Sequence, residues 1–448
     1  MAQTPTAASR RTLLEALYRA AVTAAAPGPA LGRALAVRRP ESTRRVFLLA
    51  LGKAATPMAA EAVERLHSWG LTPAGGLVVS PVADPPPHPS LISMAGDHPH
   101  PGAGSFAAAD AIGQLARSIH GDDEVWVLLS GGTTSLIAAP IDGIPADDLI
   151  QLYDQLLGSG LDIAAMNQIR KRFSRWGAGR LATVLMPARV KNFTISDVIG
   201  DDLAAIGSGP CIPDESIASD VRRALAGANL WDLIPASVRD ALEAVLEGRA
   251  PETPKPGDPA FTHLEVQVVV SNRLALEAAA HHAGQLGLRA RILDTALAGE
   301  AAPAGRRLAD LLVNYAESPA PGRGEMHKDT FCLIWGGETT VTLGPLAGLG
   351  GRNQELALAA AEVLAGSGRT GLSFLSAGTD GRDGPTDAAG AIVDSSTWTA
   401  ILAAGLDPAR ELAGHNAFPA LQAAGALIPA RPTGTNVMDI VIGLSQPA

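Results

Sequence analysis

Residues 339–365 read TTVTLGPLAGLGGRNQELALAAAEVLA. The β-branched run over 339–343 predicts a strand, and the apolar spacing over 353–365 predicts a helix. Between them lie Gly348, Gly350, Gly351 and Arg352, and Asn353 and Glu355 start the helix. The first turn of a helix carries unpaired N–H groups and the positive end of the dipole, so this connection suits an anion. Gly350 and Gly351 let the backbone come close to a phosphate, and Arg352 adds a fork of donors. Taken alone, an ordinary Gly-rich connection with a solvated arginine reads the same way, because such short motifs often match by chance.

Moving outward, the same arrangement recurs. Apolar runs end in glycine plus polar residues at Gly52-Lys53, at 130–135 (SGGTTS), at 196–202 (SDVIGDD), at 348–355 and at 377–387 (AGTDGRDGPTD). In open α/β sheets ligands bind beyond the carboxyl ends of the strands, where such loops would gather. Strands are expected at 45–51, 76–80, 124–129, 190–195, 264–270, 290–293, 331–335, 372–375 and 437–444, with helices between them. Segments 331–335 and 339–343 resemble a hairpin. Segments 27–40, 81–102 and 318–328 read as loops. Segment 248–259, GRAPETPKPGDP, reads as the interdomain linker. The expectation is an α/β protein of two domains, over 1–250 and 260–448. Each has a mainly parallel or mixed sheet flanked by helices, and the first is Rossmann-like.

The totals agree. A chain of 448 residues exceeds one ordinary core. A net charge of −10 argues against nucleic acid as the partner, although it leaves room for a local basic pocket. Cys211 and Cys332 lack metal-type spacing, which fits a reduced, cytoplasmic setting. The Ser9-Arg10-Arg11 sequence has the look of a twin-arginine signal. Glu15 and Arg19 interrupt the apolar stretch behind it, however, and Leu13, Leu14, Leu17 and Ala21 share one helical face. An amphipathic first helix is the better reading, and no run reaches the roughly 18 apolar residues of a membrane span.

The chemistry follows from the loops. Lys53 directly follows a buried strand, with small neighbours that would leave its ammonium facing the cleft rather than snorkelling to open water. Ser130, Gly131, Gly132, Thr133, Thr134 and Ser135 offer N–H groups and hydroxyls. Their spacing is neither that of a Walker A loop nor that of a dinucleotide fingerprint. They read as a phosphate or carboxylate cradle. Asp197, Asp201 and Asp202 form one acidic loop and Asp380, Asp383 and Asp387 another. Such groups hold a divalent cation, act as a general base, or shape turns. His98 is a candidate substrate contact. Cations, Gly-rich cradles and magnesium-type acids together describe phosphoryl transfer.

At these residues the chain resembles the glycerate 2-kinase family with a MOFRL C-terminal domain, whose members are often labelled hydroxypyruvate reductase. The matching segments are GKAATPMA (52–59), SGGTTSL (130–136), SDVIGDDLAAIGSGP (196–210), GGETTVTLG (336–344), GLGGRNQELAL (348–358), AGTDGRDGPTDAAGAIVD (377–394) and TGTNVMDIVIGL (433–444). The resemblance implies an ATP- and Mg²⁺-dependent kinase acting on the 2-hydroxyl of D-glycerate, built of two α/β domains with the active site in the cleft between them. From charge and hydropathy no nucleic-acid or membrane partner is expected; the sequence does not give the oligomeric state, and a homodimer is one option. It implies Lys53, Asp197 and Arg352 as catalytic residues. Lys53 and Arg352 would stabilise phosphoryl charge, and Asp197 would orient or deprotonate the hydroxyl or help hold Mg²⁺. Substrate and phosphate contacts would come from 130–135, His98, Gly350, Gly351, Asn353 and Glu355. Nucleotide contacts would come from Asn272, Gly336, Gly337, Glu338, Gly378, Thr379, Asp380, Gly381 and Asp383, and metal contacts from Asp197, Asp201 and Asp380. Two positions depart from the family pattern: Gly177 stands where a lysine is usual, and Arg431 where a glycine is usual. Arg175 or Arg180 is the expected substitute for that lysine. The competing readings are an NAD(P)H-dependent hydroxypyruvate reductase, which lacks its fingerprint here, and a non-catalytic nucleotide- or sugar-acid-binding protein.

Overall fold

The run VFLLAL is buried along its whole length as β1 (Val46–Leu51), as a strand covered on both faces must be. The computed structural model describes residues 7–41, 43–317, 330–344 and 347–446. The loop expected over 318–328 lies outside them. After β1 come β2 (Gly75–Ser80), β3 (Leu91–Ala95), β4 (Glu124–Leu129), β5 (Arg189–Ile195) and β6 (Leu264–Val270). They form one sheet in the order β3-β2-β1-β4-β5-β6. The pairs from β3 through β5 are parallel. This is the doubly wound order, in which the chain reverses direction across the sheet between β1 and β4 and opens a crevice at their carboxyl ends.

A second sheet is built from β7 (Arg289–Leu297), β8 (Phe331–Gly337), β9 (Leu372–Gly378), β10 (Ala388–Asp394), β11 (Leu427–Pro429) and β12 (Asp439–Ser445). Its order is β11-β10-β9-β12-β8-β7. Only the β7–β8 pair is parallel, and the rest are antiparallel. Two α/β layers with a parallel and a mixed sheet are what the sequence leads one to expect.

The chain divides into two compact units, Pro27–Val269 and Met1–Ala26 with Val270–Ala448. These differ from the segments 1–250 and 260–448 in two places. The first helix, Ala7–Ala24, packs on helix Asn272–Gln285. It buries Leu14, Leu17 and Ala21 completely, as their spacing demands. Segment 248–259 does not link the units but is tied into the first of them. Thr253 Oγ1 donates to Asp214 (2.9 Å), and Lys255 Nζ donates to the Asp214 carbonyl (3.1 Å).

The expected hairpin does not form. Residues 339–343 make one isolated bridge, Thr340 to Glu300, instead of a strand. The antiparallel partner of β8 is β12, from the far end of the chain. Segment 27–40 contains helix Pro27–Leu35, which opens with proline at its first turn, where the missing N–H costs nothing. Segment 81–102 contains β3.

Candidate active site

In the Pro27–Val269 unit the ends of β1, β4 and β5 come together. Gly52 has φ +116°, and a Cβ there would overlap Ser130 Oγ and its carbonyl, so only glycine allows the contact. Lys53 N–H donates to the Gly131 carbonyl (2.9 Å), and its side chain is exposed. Gly131 faces the Asp197 carboxylate so closely that a Cβ would overlap Oδ2. A Cβ on Gly132 would lie 3.3 Å from Lys53 Cε and from His98 Cδ2. Lys53, His98, Asp197, Gly131 and Gly132 are thus gathered at the β1/β4 reversal.

The hydroxyls of this loop are spent within the fold. Ser130 Oγ accepts from Ala54 N–H (3.0 Å) and donates to the Leu51 carbonyl (3.3 Å). Thr133 donates to the Ser130 carbonyl (2.8 Å), and Ser135 to the Pro99 carbonyl (2.7 Å). Thr134 Oγ1 and Ser208 Oγ lie 3.0 Å apart. The cradle offers its glycine backbone, and its side chains hold that backbone in place.

Burial pushes the Asp197 carboxyl above its ordinary value, opposed by its own backbone N–H and by Lys53. Burial, and then Lys53, push His98 down. Asp201 is a turn residue with φ +56°, and Asp202 Oδ1 accepts from Ala204 N–H (2.9 Å). Both arginines near Gly177 have partners within the fold. Arg180 donates to the carbonyls of Lys171, Arg172, Ser174 and Gly177, and Arg175 pairs with Asp110.

In the other unit Arg352 opens helix Arg352–Gly366. Its Nε and Nη2 donate to Asp439 Oδ2 (2.6 Å) and Oδ1 (2.9 Å), and Nη1 lies 2.7 Å from Glu338 Oε1. One N–H on each terminal nitrogen is left over. Burial alone would lower its pKa. The hydrogen bond and charge of Asp439, then Glu338 and Asp383, raise it, so Arg352 stays cationic.

The N-terminus of that helix already holds an anion, Asp383. Its carboxylate accepts from the N–H groups of Asn353 (3.1 Å) and Gln354 (2.8 Å). Gly351 makes room, since a Cβ there would collide with the carboxylate. Asn353 also takes a hydrogen bond from Ser376 Oγ (2.7 Å). The anion expected at this helix start from a ligand is therefore supplied in part by the fold itself.

Other expected ligand contacts are likewise occupied. Asn272 Nδ2 donates to the carbonyls of Val437 (2.8 Å) and Asp439 (2.9 Å). Gly336 makes room for it, as a Cβ there would overlap Asn272 Oδ1. Gly337 has φ +138° and presses on Leu297. The Gly378 carbonyl accepts from Tyr18 (2.6 Å), and Thr379 donates to the Met438 carbonyl (2.6 Å). Gly381, at φ +77°, abuts the Arg431 carbonyl, and Asp380 accepts from Arg382 N–H (3.0 Å). Glu355, 4 % exposed, meets His415 Nδ1 at 2.9 Å.

Arg352, Glu355, Asp380, Asp383 and His415 line a cavity of about 640 Å³. Asp439 and His415 carry no signal in the sequence, because their partners lie 87 and 60 residues away. Among the described residues no group of three or more His, Cys, Asp or Glu could hold a metal ion.

Residues 13–243 match the family described as a domain of unknown function, DUF4147, and residues 331–439 match the MOFRL family. A glycerate 2-kinase of Pyrococcus horikoshii is 36% identical over 400 residues, covering 89% of this chain and 87% of that one. A D-glycerate 2-kinase of Thermotoga maritima is 37% identical over 404 residues, covering 89% and 90%. The crystal structure of glycerate kinase from Thermotoga maritima superposes with a TM-score of 0.86 at 35% identity, covering 98% of this chain and 99% of that one.

Proposed function

The chain belongs to the glycerate kinase family that joins DUF4147 to MOFRL, and on that premise we propose that it transfers the terminal phosphoryl group of ATP to the 2-hydroxyl of D-glycerate. The glycerate oxygen bonds to the γ-phosphorus, the bond to the β-phosphate oxygen breaks, and the hydroxyl proton is lost. The products are 2-phosphoglycerate and ADP. The observation that carries this reading is the Asp197 carboxylate seated against Gly131 beside Lys53 at the reversal point of the parallel sheet.

Asp197 orients the 2-hydroxyl and takes its proton, and burial makes it a stronger base than an exposed carboxylate. Lys53 supplies a point charge to the transferring group. Arg352 supplies two further donors in a plane fixed by Asp439 and Glu338. Gly131, Gly132, Gly350 and Gly351 offer backbone, His98 a substrate contact, and Asp380 a nucleotide contact. Magnesium bound to phosphates needs only one or two protein carboxylates. Asp197, Asp201 and Asp380 are the candidate carboxylates, of which one or two would hold the ion, and it would supply positive charge against the phosphates. The same reading places the chain in the cytoplasm, where the buried thiols of Cys211 and Cys332 stay reduced, and takes a homodimer as its assembly.

The test is to incubate the purified chain with D-glycerate and MgATP and read the product by phosphorus NMR, with hydroxypyruvate and NADH in a parallel reaction. Phosphate on the 2-position supports the proposal. NADH loss without any phosphorylated product would replace the kinase with a reductase.

A further inference from the structure

His415 is a non-glycine residue held in the left-handed region, at φ +52°, on the wall of the 640 Å³ cavity that Arg352 also lines. Such conformations cost free energy and persist where surrounding contacts over-determine them, often at ligand sites. Two hydrogen bonds hold the residue: its N–H donates to the Leu412 carbonyl (3.2 Å), and its Nδ1 lies 2.9 Å from Glu355 Oε2. An ionised carboxylate only accepts, so the hydrogen of that pair lies on Nδ1. Among the described residues the only side-chain hydrogen bond of His415 is the one at Nδ1, and the residue lines the cavity.

The cavity's size narrows the ligand. It falls within the roughly 300–1,000 Å³ common for sites of drug-sized molecules and is several times what a three-carbon acid fills. Its wall combines the cations Arg352 and Arg382 with four carboxylates and the apolar Val341, Leu343 and Pro385. Three of the carboxylates already have partners, Glu338 in Arg352, Glu355 in His415 and Asp383 in the helix N–H groups, so the arginines and the apolar patch suit a molecule with an anionic end and an apolar body.

We propose that His415, oriented by Glu355, is a binding residue for the nucleoside triphosphate donor, with Nε2 contacting its phosphates alongside Arg352. In its imidazolium form the ring donates from both nitrogens, from Nδ1 to Glu355 and from Nε2 to the phosphate. Glu355 is then a positioning residue and not the phosphate contact expected from its place in the sequence. This inference rests on the kinase reading and adds the partner of one wall of its site.

The test is calorimetric binding of MgADP and of a non-hydrolysable MgATP analogue to wild-type protein and to His415→Asn, with steady-state kinetics on the same samples. Asparagine tolerates the left-handed backbone, and His415→Gly is the second variant if the first does not fold. The expected result is triphosphate binding about tenfold weaker, a KM for MgATP raised to match, and a KM for D-glycerate changed less than twofold. Unchanged triphosphate affinity in a folded variant, or a rise confined to the KM for D-glycerate, overturns the assignment. The kinase reading fails separately, if wild-type protein makes no glycerate-dependent ADP.

Discussion

Arg352 stands between Asp439 and Glu338, and this sets what its removal does. Arg352→Ala takes away donors for the transferring phosphoryl group, and turnover should fall by roughly 10²- to 10³-fold. It also leaves Asp439, whose side chain is 3 % exposed, without its partner. Because the arginine is itself about a third exposed, the stability loss should be about 1–3 kcal/mol, short of a fully buried pair. Thermal melting should show that loss, and adding Asp439→Asn should recover part of it without recovering turnover.

Asp197 predicts a pH profile. Burial raises its carboxyl, so the base is protonated, and turnover low, up to a pH above the ordinary carboxylate value of about 4. Turnover should rise with pH through that raised value, and Asp197→Asn should abolish the limb together with most of the activity. A limb at the ordinary carboxylate value in wild-type protein would remove Asp197 as the base. Gly131→Ala is a narrower probe. The three atoms nearest the new methyl group all belong to the Asp197 carboxylate. Turnover should drop at least tenfold with the melting temperature nearly unchanged.

Among the elements, helix Arg352–Gly366 owes its start to Asp383, which reaches in from the loop after β9. Burial pushes this carboxyl up to about 6, against the N–H groups of Asn353 and Gln354, with Asp439 adding to the rise. Between about pH 4 and 6 the folded chain then holds a proton that the unfolded chain has released, so stability should fall as pH rises through that window. The full effect is on the order of 3 kcal/mol. Denaturant melts across this range should show the decline, and Asp383→Asn should flatten it.

The strands that could be read from the sequence were those whose burial makes them apolar throughout, such as β1, β4 and β9. β3 was not, because it is short, half exposed and set among prolines. The false strand over 339–343 shows the opposite error. Its β-branched residues fit a strand, yet no neighbouring strand pairs with them beyond one bridge. The site followed the same division. Lys53, Gly131 and Asp197 were legible because each sits just past a strand end. Asp439, His415 and the role of Asp383 were not, because they are defined by partners 30 to 87 residues away.

At the scale of the whole molecule, a parallel doubly wound sheet carries Lys53 and Asp197, and a mixed sheet with helix Arg352–Gly366 carries Arg352. The first helix belongs with the second sheet, so the chain starts in one unit, builds the other, and returns. Among the described residues no helix is long and apolar enough to cross a membrane. The central claim is that this chain moves phosphate onto glycerate with Lys53 as one of the charges that make it possible. The most direct measurement is ADP release from MgATP by the purified full chain, with and without D-glycerate, for wild type and Lys53→Ala. The account predicts glycerate-dependent ADP from wild type and a loss of about 100-fold or more in the folded variant. Folded wild-type protein that releases no ADP in response to D-glycerate, or a Lys53→Ala variant that turns over like wild type, would contradict it.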